Sequence, residues 1–502
     1  MKNKGQTTIL FSLMISVLLL FTLTALEVGR IYMSRVKTRA LVHSTCLNLM
    51  ADYNSALFER YHLLFMDPTY GTGSEAAIEE KINDYLESSL NGERGNPIYQ
   101  FTIEEIAIAD QTYILDHNME ALKSQILNYE KTEGVVHAAK KLTEKISDRS
   151  ADIERAASET EHNGIEMPTT EAAAEPDTEG KEEADEDSDK ETEKKEKVSD
   201  PRDTLDGNLK NGLLYFLLPE DTTISKETHS LEKAPSQTYR DQKQEEKDNS
   251  FRDIGFLKTF IKNAASEEGD YGLMKQAAFV DYVNNLFSNG VNGREDSVMQ
   301  CEVEYILEGK ESDYDNLEAV VGDIVWMRMP INYAYLLTDE TKKEEALTLA
   351  AAICIATGTE SLMEIVKYLL LGCWSYAETL YEMRMLLSGE TIPYVKSSET
   401  WYTDLKTLSG NATGSKVQNG MEYEDYLLLL LAKKGNKKRD LCYARILDVI
   451  EMNLNREDAD FHIANCVSGM TVQGKICLNP LLAGEGKKED YDFFFEESFT
   501  YE

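Results

Sequence analysis

The stretch ILFSLMISVLLLFTLTAL, residues 9–26, carries no charge; Lys2, Lys4 and Gly5-Gln6 precede it, and Glu27, Arg30, Arg35, Lys37 and Arg39 follow. A helix over Ile9–Leu26 would measure about 27 Å at about 1.5 Å per residue. That is close to the hydrocarbon thickness of a bilayer. The run therefore predicts a single N-terminal transmembrane helix over residues 9–27, with residues 1–8 as a short tail or leader and the bilayer as a partner. Three readings compete for it. A cleaved secretory signal fits the basic start, but no Ala-x-Ala site follows and the run is long for a signal core. A retained signal anchor fits both. A pilin-like leader would be cut between Gly5 and Gln6, although the fifth residue after that cut is Leu10 rather than Glu. The anchor-type readings are favoured over a secretory cut. Charge alone leaves orientation open, since basic residues flank both ends.

Helical spacing continues beyond the run. Ile31, Val36, Leu41, Val42, Leu47 and Met50 recur at near-helical intervals, and no Gly or Pro occurs from Ile31 to Met66. This predicts a helical stem over residues 28–66. Asp67-Pro68, Gly71 and Gly73 then break the pattern. A helix is expected over Glu75–Leu90, a strand over Phe101–Ala109 and a helix over Thr112–Ser147, within a first head segment at residues 67–160.

Composition narrows the partners. The 502 residues hold 52 Lys and Arg against 90 Asp and Glu, a net charge of -38. Such a surface repels phosphate backbones, so nucleic acid is not expected as a partner. Between Glu171 and Lys197 there is no aromatic residue, no Ile and no Leu. A segment of that kind buries too little apolar surface to offset its ordering entropy, so residues 161–250 read as an acidic, mostly disordered linker. Within it, Leu213–Leu218 is an apolar island able to dock back on a domain.

From Ile254 the pattern is helical. Helices are expected over Tyr271–Phe287, Tyr314–Leu337, Lys342–Ala356, Ser361–Leu387, Tyr423–Lys434 and Arg439–Asn453, with Pro330 kinking or splitting the second. Cys301–Glu308 fits a strand or a helix edge equally. Short alternating runs at Asp460–Val467, Met470–Cys477 and Tyr491–Tyr501 predict strands that pair with Phe101–Ala109. The expected fold is α+β and helix-rich. Residues 67–160, 251–455 and a C-terminal β segment at 456–502 would form one discontinuous domain, with the acidic insertion looped out.

Few residues suggest chemistry. The sequence has no HExxH, GxSxG, P-loop or GxGxxG pattern, and no two of its seven histidines lie at helical pair spacing. No cofactor or metal is expected. Glu378 and Glu382 stand one helical turn apart near Trp374. They read either as paired carboxylates for acid–base work or, more plainly, as a structural pair with Glu378 buried against Arg328. Cys466 and Cys477 flank a Gly-containing segment and would pair across a hairpin in an oxidising compartment. The basic run Lys433–Arg439 reads as an exposed loop between helices.

Several stretches resemble a family of bacterial membrane-anchored proteins associated with tight-adherence (Tad/Flp-type) pilus systems. They include Gly5-Gln6-Thr7-Thr8 with the apolar run, Asp52-Tyr53-Asn54, Glu302–Lys310, Arg328, Asn332, Trp374–Glu378, Val395-Lys396 and Gly420–Leu427. The N-terminus is similar to Tad pseudopilin-like anchors, although Arg30 departs from the small residues of a pilin stem. The resemblance implies a non-catalytic accessory component of a pilus or secretion apparatus. Its chain would be single-pass, with its bulk outside the cytoplasm, and its partners other pilus or envelope proteins. A surface binding module with an acidic spacer is the alternative, and an envelope enzyme using Glu378 and Glu382 a third.

Overall fold

The structure is a computed structural model that describes residues 4–74, 76–91, 98–132, 212–219, 222–242, 271–408, 420–457, 459–480 and 491–501. In chain order these form α1 (Lys4–Met50), α2 (Ser55–Tyr61), α3 (Ala76–Asn91), β1 (Phe101–Tyr113), α4 (Glu120–Thr132), α5 (Leu213–Leu217) and α6 (Pro235–Gln242). Then follow α7 (Tyr271–Leu286), α8 (Glu302–Glu308), α9 (Asp313–Thr338), α10 (Glu340–Thr357) and α11 (Met363–Leu387). The chain closes with α12 (Tyr423–Lys433), α13 (Asn436–Leu454), β2 (Val467–Leu478) and β3 (Tyr491–Thr500). The fold is helix-rich, with one antiparallel sheet. The core of the acidic segment, residues 161–211, lies outside the described residues, as does the end of the helix expected to reach Ser147.

Two compact units stand where the sequence suggested one discontinuous domain. The first comprises Met1–Val135, Glu232–Gln244 and Asn436–Glu502; the second comprises Val136–Leu231 and Glu245–Gly435. The division falls at Gly435, inside the basic run, because α13 begins at Asn436 and goes with the first unit. Lys433–Arg439 is thus mostly helix end and helix start rather than an exposed loop. Lys434 is held by Glu308 at 3.1 Å within the second unit.

In the first unit, α1 is one unbroken helix of 47 residues. Its apolar N-terminal part is largely exposed: Leu18 is 66% and Phe21 71% exposed. By length and composition, α1 is able to cross a membrane. Its C-terminal part is built into the unit. Arg30, Ser34, Thr38, Val42 and Leu49 recur on one face and are buried. Arg30 fixes the junction between the two parts. It pairs with Glu27 at 2.6 Å and donates to the carbonyls of Ile98 at 2.9 Å and Asn479 at 2.8 Å. The stem ends as α1 at Met50. A short second helix follows, started by Asn54, whose Oδ1 accepts the Leu57 N–H at 2.9 Å.

The sheet order is β1-β2-β3, all antiparallel. The expected long-range pairing of residues 101–109 with the C-terminal strands is present, and β1 extends it to Tyr113. Met470, Val472 and Ile476 of β2 share a core with Ile78, Ile82, Leu86 and Leu90, which line one face of α3 at four-residue spacing. Asp460–Val467 is not a strand. A tight 3-10 turn at Ile463–Asn465 occupies it, held by Glu451, whose Oε2 accepts the Ile463 N–H at 3.0 Å. α6 packs on α13 within this unit, where the Ser236 N–H donates to Asp448 at 2.9 Å.

The second unit is helical. α9, α10 and α11 pack together around Leu336, Ala346, Ala350, Leu371 and Trp374. The apolar island folds as α5, and its Leu214 and Leu217 are fully buried. α8 takes the helical option for Cys301–Glu308, with Glu302 and Glu304 both buried. Pro330 does not split α9, which runs from Asp313 to Thr338. Ser312 caps its start, accepting the Asp315 N–H at 3.1 Å. Arg328 and Asn332 bracket the proline, and both bond to Glu382 of α11.

Candidate functional site

Glu378 and Glu382 lie one turn apart on α11, and Arg328 and Asn332 one turn apart on α9. That spacing puts each pair on one helix face. Packing of α9 against α11 brings the faces together, and all four side chains are 0% exposed. A fifth group, Lys396, enters from the irregular segment that follows α11.

The pairing differs from the expected one. Arg328 does not take Glu378; it grips Glu382, with Nη2 2.6 Å from Oε1 and Nε 3.1 Å from Oε2. Asn332 donates to Glu382 Oε2 at 2.7 Å and to the Thr379 hydroxyl at 3.0 Å. Glu378 takes Lys396, whose Nζ lies 2.5 Å from Oε1 of Glu378 and 2.9 Å from Oε1 of Glu382. The physical reason is reach. Arg328 forks onto both oxygens of the acid opposite it, whereas Glu378 faces residues 400–403. There the Tyr402 N–H donates at 3.0 Å, the Thr403 N–H at 2.8 Å and the Thr403 hydroxyl at 2.7 Å.

Aromatic rings seal the cluster. Lys396 lies 4.2 Å from the centroid of Tyr402. Trp374 and Trp401 meet edge to face at 5.6 Å, and the Trp374 indole N–H donates to the Thr403 hydroxyl at 3.1 Å. Burial raises the Glu382 carboxyl, but Arg328 and Lys396 outweigh it and hold Glu382 below the ordinary carboxylate range. The Tyr394 hydroxyl is pushed up to about 12, mainly by burial. Two acids and two cations cancel, so the interior carries no net charge at this point.

A further buried acid has no salt bridge among the described residues. Glu304 of α8 is 0% exposed. Its Oε1 accepts the Gly290 N–H at 2.9 Å and the Tyr423 hydroxyl at 2.8 Å. Burial pushes this carboxyl up to about 7, and nearby Asp313 adds to the rise.

The remaining candidate residues do not converge. Cys466 and Cys477 are both free and buried. The segment between them is one strand rather than a hairpin, so they sit at its two ends. At about 3.3 Å per residue that is roughly 36 Å, far outside disulfide reach. Gly474 within the strand serves packing: a Cβ there would come within 2.6 Å of the Phe495 ring and 2.5 Å of the Glu105 carbonyl. Cys477 donates to Asp492 on β3 at 3.2 Å. Gly5 and Gln6 lie in the first turn of α1. Among the described residues, no three His, Cys, Asp or Glu side chains are grouped to hold a metal ion.

Lys396 and Thr403 were not legible as members of the cluster. They come from non-periodic sequence, and only the bare presence of two adjacent buried acids on an apolar helix asks for a second cation. No curated protein and no solved structure matches the chain. Residues 190–478, more than half of it and the part that contains the whole charge cluster, match a family of unknown function (DUF5702), and the chain belongs to that family.

Proposed function

We propose that this chain is a membrane-anchored accessory protein that works through protein–protein contacts, with a Tad-type pilus or secretion apparatus as its setting. The observation that carries the reading is α1. Most of the eighteen uncharged residues 9–26 are left exposed by the described residues, and the same helix then continues, without a break, into the core of a folded unit. A signal peptide destined for removal has no need of that continuity. Arg30 ties the helix to the sheet at the end of the apolar run, so the folded unit would sit at the membrane surface. Its bulk would lie outside the cytoplasm.

The second unit supports a contact role. Leu362, Ile365 and Leu369 are 45%, 59% and 43% exposed on one face of α11 and its lead-in turn. Exposed apolar residues gathered on one helix face mark interaction surfaces. The charge cluster, closed and neutral, supports a scaffolding role for α9 and α11. A clean deletion strain tests the proposal. Loss of assembled pili, restored by the full chain and not by a chain lacking residues 9–26, is the expected result. Normal assembly without the protein would refute it.

A further inference from the structure

The sheet of the first unit has two edges, and they are built differently. β1 is irregular: its register shifts between Ile103 and Glu105, between Ile108 and Asp110, and between Thr112 and Tyr113. Such irregularities blunt an edge against further pairing. β3 pairs with β2 over Tyr491–Thr500 without a shift and contains no proline. Among the described residues β2 is the only strand beside it, and no backbone hydrogen bond reaches its outer edge.

Two surfaces meet at that open edge. Phe493 and Phe499 belong to the core, so Asp492, Phe494, Glu496 and Ser498 line the opposite face of the strand. Phe494 is 77% exposed. Lys475 holds Asp492 at 3.1 Å, whereas Glu496 is exposed and has no salt bridge among the described residues. On the core side β3 follows the C-terminal part of α1. Arg35 lies 5.9 Å from the centroid of the Phe493 ring, His43 Nδ1 is 2.8 Å from Glu497, and the Tyr501 hydroxyl donates to the Met50 carbonyl at 2.9 Å. Next to Arg35 and His43 around the helix, Tyr32, Val36, Ala40 and Leu47 form an exposed stripe. Lys37, on the other side of the stripe, donates to the Leu90 carbonyl of α3 at 3.0 Å. The stripe therefore looks outward between β3 and α3, beside the place that a fourth strand would take.

We propose that the outer edge of β3 takes an added strand from a partner protein, and that this strand alternates basic and apolar residues. Main-chain hydrogen bonds to an open edge supply affinity, and the alternate side chains supply selection. Apolar residues on the core side cover Val36, Ala40 and Leu47. Cations on the other side meet Glu496. Arg39, exposed on α1 beside the stripe, keeps cations off the core side and so fixes the alternation. A second copy of this chain fits the edge poorly. β3 carries Asp492, Glu496 and Glu497 and no Lys or Arg, so pairing it with itself sets acid against acid. This surface is separate from the exposed face of α11, and the inference holds whichever apparatus the partner belongs to.

Hydrogen–deuterium exchange of the purified full chain in detergent tests the proposal, with a synthetic peptide alternating Lys and Val as the probe and one alternating Glu and Val as its control. The Lys-Val peptide should slow every second amide of Tyr491–Thr500, the signature of a strand added at one edge, and leave β1 unchanged. The Glu-Val peptide should protect neither strand. Glu496→Lys should weaken binding of the Lys-Val peptide about fivefold. Glu360→Lys, which changes the net charge equally at an exposed site in the second unit, should leave it unaltered. Both substitutions fall on exposed side chains, so the circular dichroism spectrum should not move. No protection of β3, equal protection by both peptides, or equal weakening by the two substitutions would overturn the proposal. So would protection of β3 that rises with concentration of the chain alone, which would assign the edge to a second copy.

Discussion

The N-terminal part of α1 and the centre of the α9–α11 cluster invert each other. The first leaves Leu18 and Phe21 uncovered by the described residues; the second buries Arg328, Lys396, Glu378 and Glu382 away from water. Each is unfavourable for an isolated chain in water, and each becomes favourable with a partner. The cluster carries its partners within the second unit: every carboxylate oxygen of Glu378 and Glu382 has a donor. The apolar run has none among the described residues, and in the proposed reading the bilayer supplies it. A misplaced residue type marks function only when its compensation is missing.

Substitutions can break either side of this comparison. The largest effect is expected at Arg328. Arg328→Met leaves Glu382 buried without its forked partner and should destabilise the second unit by about 3–5 kcal/mol, read as a lowered urea midpoint. Next comes the apolar run. Leu18→Arg places a charge at its middle and should cost about 2.5–3.5 kcal/mol of insertion, moving the protein out of the membrane fraction in flotation while the sheet keeps its spectrum.

Glu304 sharpens the comparison, because it is a buried acid with no salt bridge among the described residues. Its carboxyl stands at about 7 in the folded state against 4.5 for an ordinary glutamate. Between those values the folded chain still holds the proton and the unfolded chain has lost it. Stability should therefore fall as pH rises from about 4.5 to about 7, by roughly 3 kcal/mol in all, and level off above. Cys301, Asp313 and Tyr423 face this group and hold no positive charge to offset the loss. Glu304→Gln should flatten the slope in melts recorded across that range. An unchanged slope would place the proton elsewhere. The smallest effect is expected at Gly474, where Ala would press on the Phe495 ring and the Glu105 carbonyl; a loss of about 1–3 kcal/mol should appear in thermal melts of the first unit.

Much of this architecture was legible because it is periodic. The apolar run, the helical stretch Glu75–Leu90 and the alternation in residues 101–109, 470–477 and 491–501 each name an element. What failed was non-periodic. Pro330 reads as a kink or a split by local rules; the split is absent, and Arg328 and Asn332 on either side of it bond to a helix 50 residues away in sequence. Gly474 carries no side chain to read, and an aromatic ring from β3 needs the space. The spacing of Glu378 and Glu382 puts them on one face but says nothing of which cation each meets, since Lys396 arrives on an irregular segment. The division into units at Gly435 hides inside a basic run that looks like a loop.

The central claim is that α1 holds a folded, extracytoplasmic chain to the membrane. Protease shaving of intact cells, followed by N-terminal sequencing of what the membrane retains, tests it most directly. The account predicts that both folded units are lost on shaving while a fragment containing Ile9–Leu26 stays in the membrane fraction, starting at Met1 or, after a pilin-like cut, at Gln6. Recovery of the full chain untouched in intact cells, and its release as soluble protein on lysis, would contradict it.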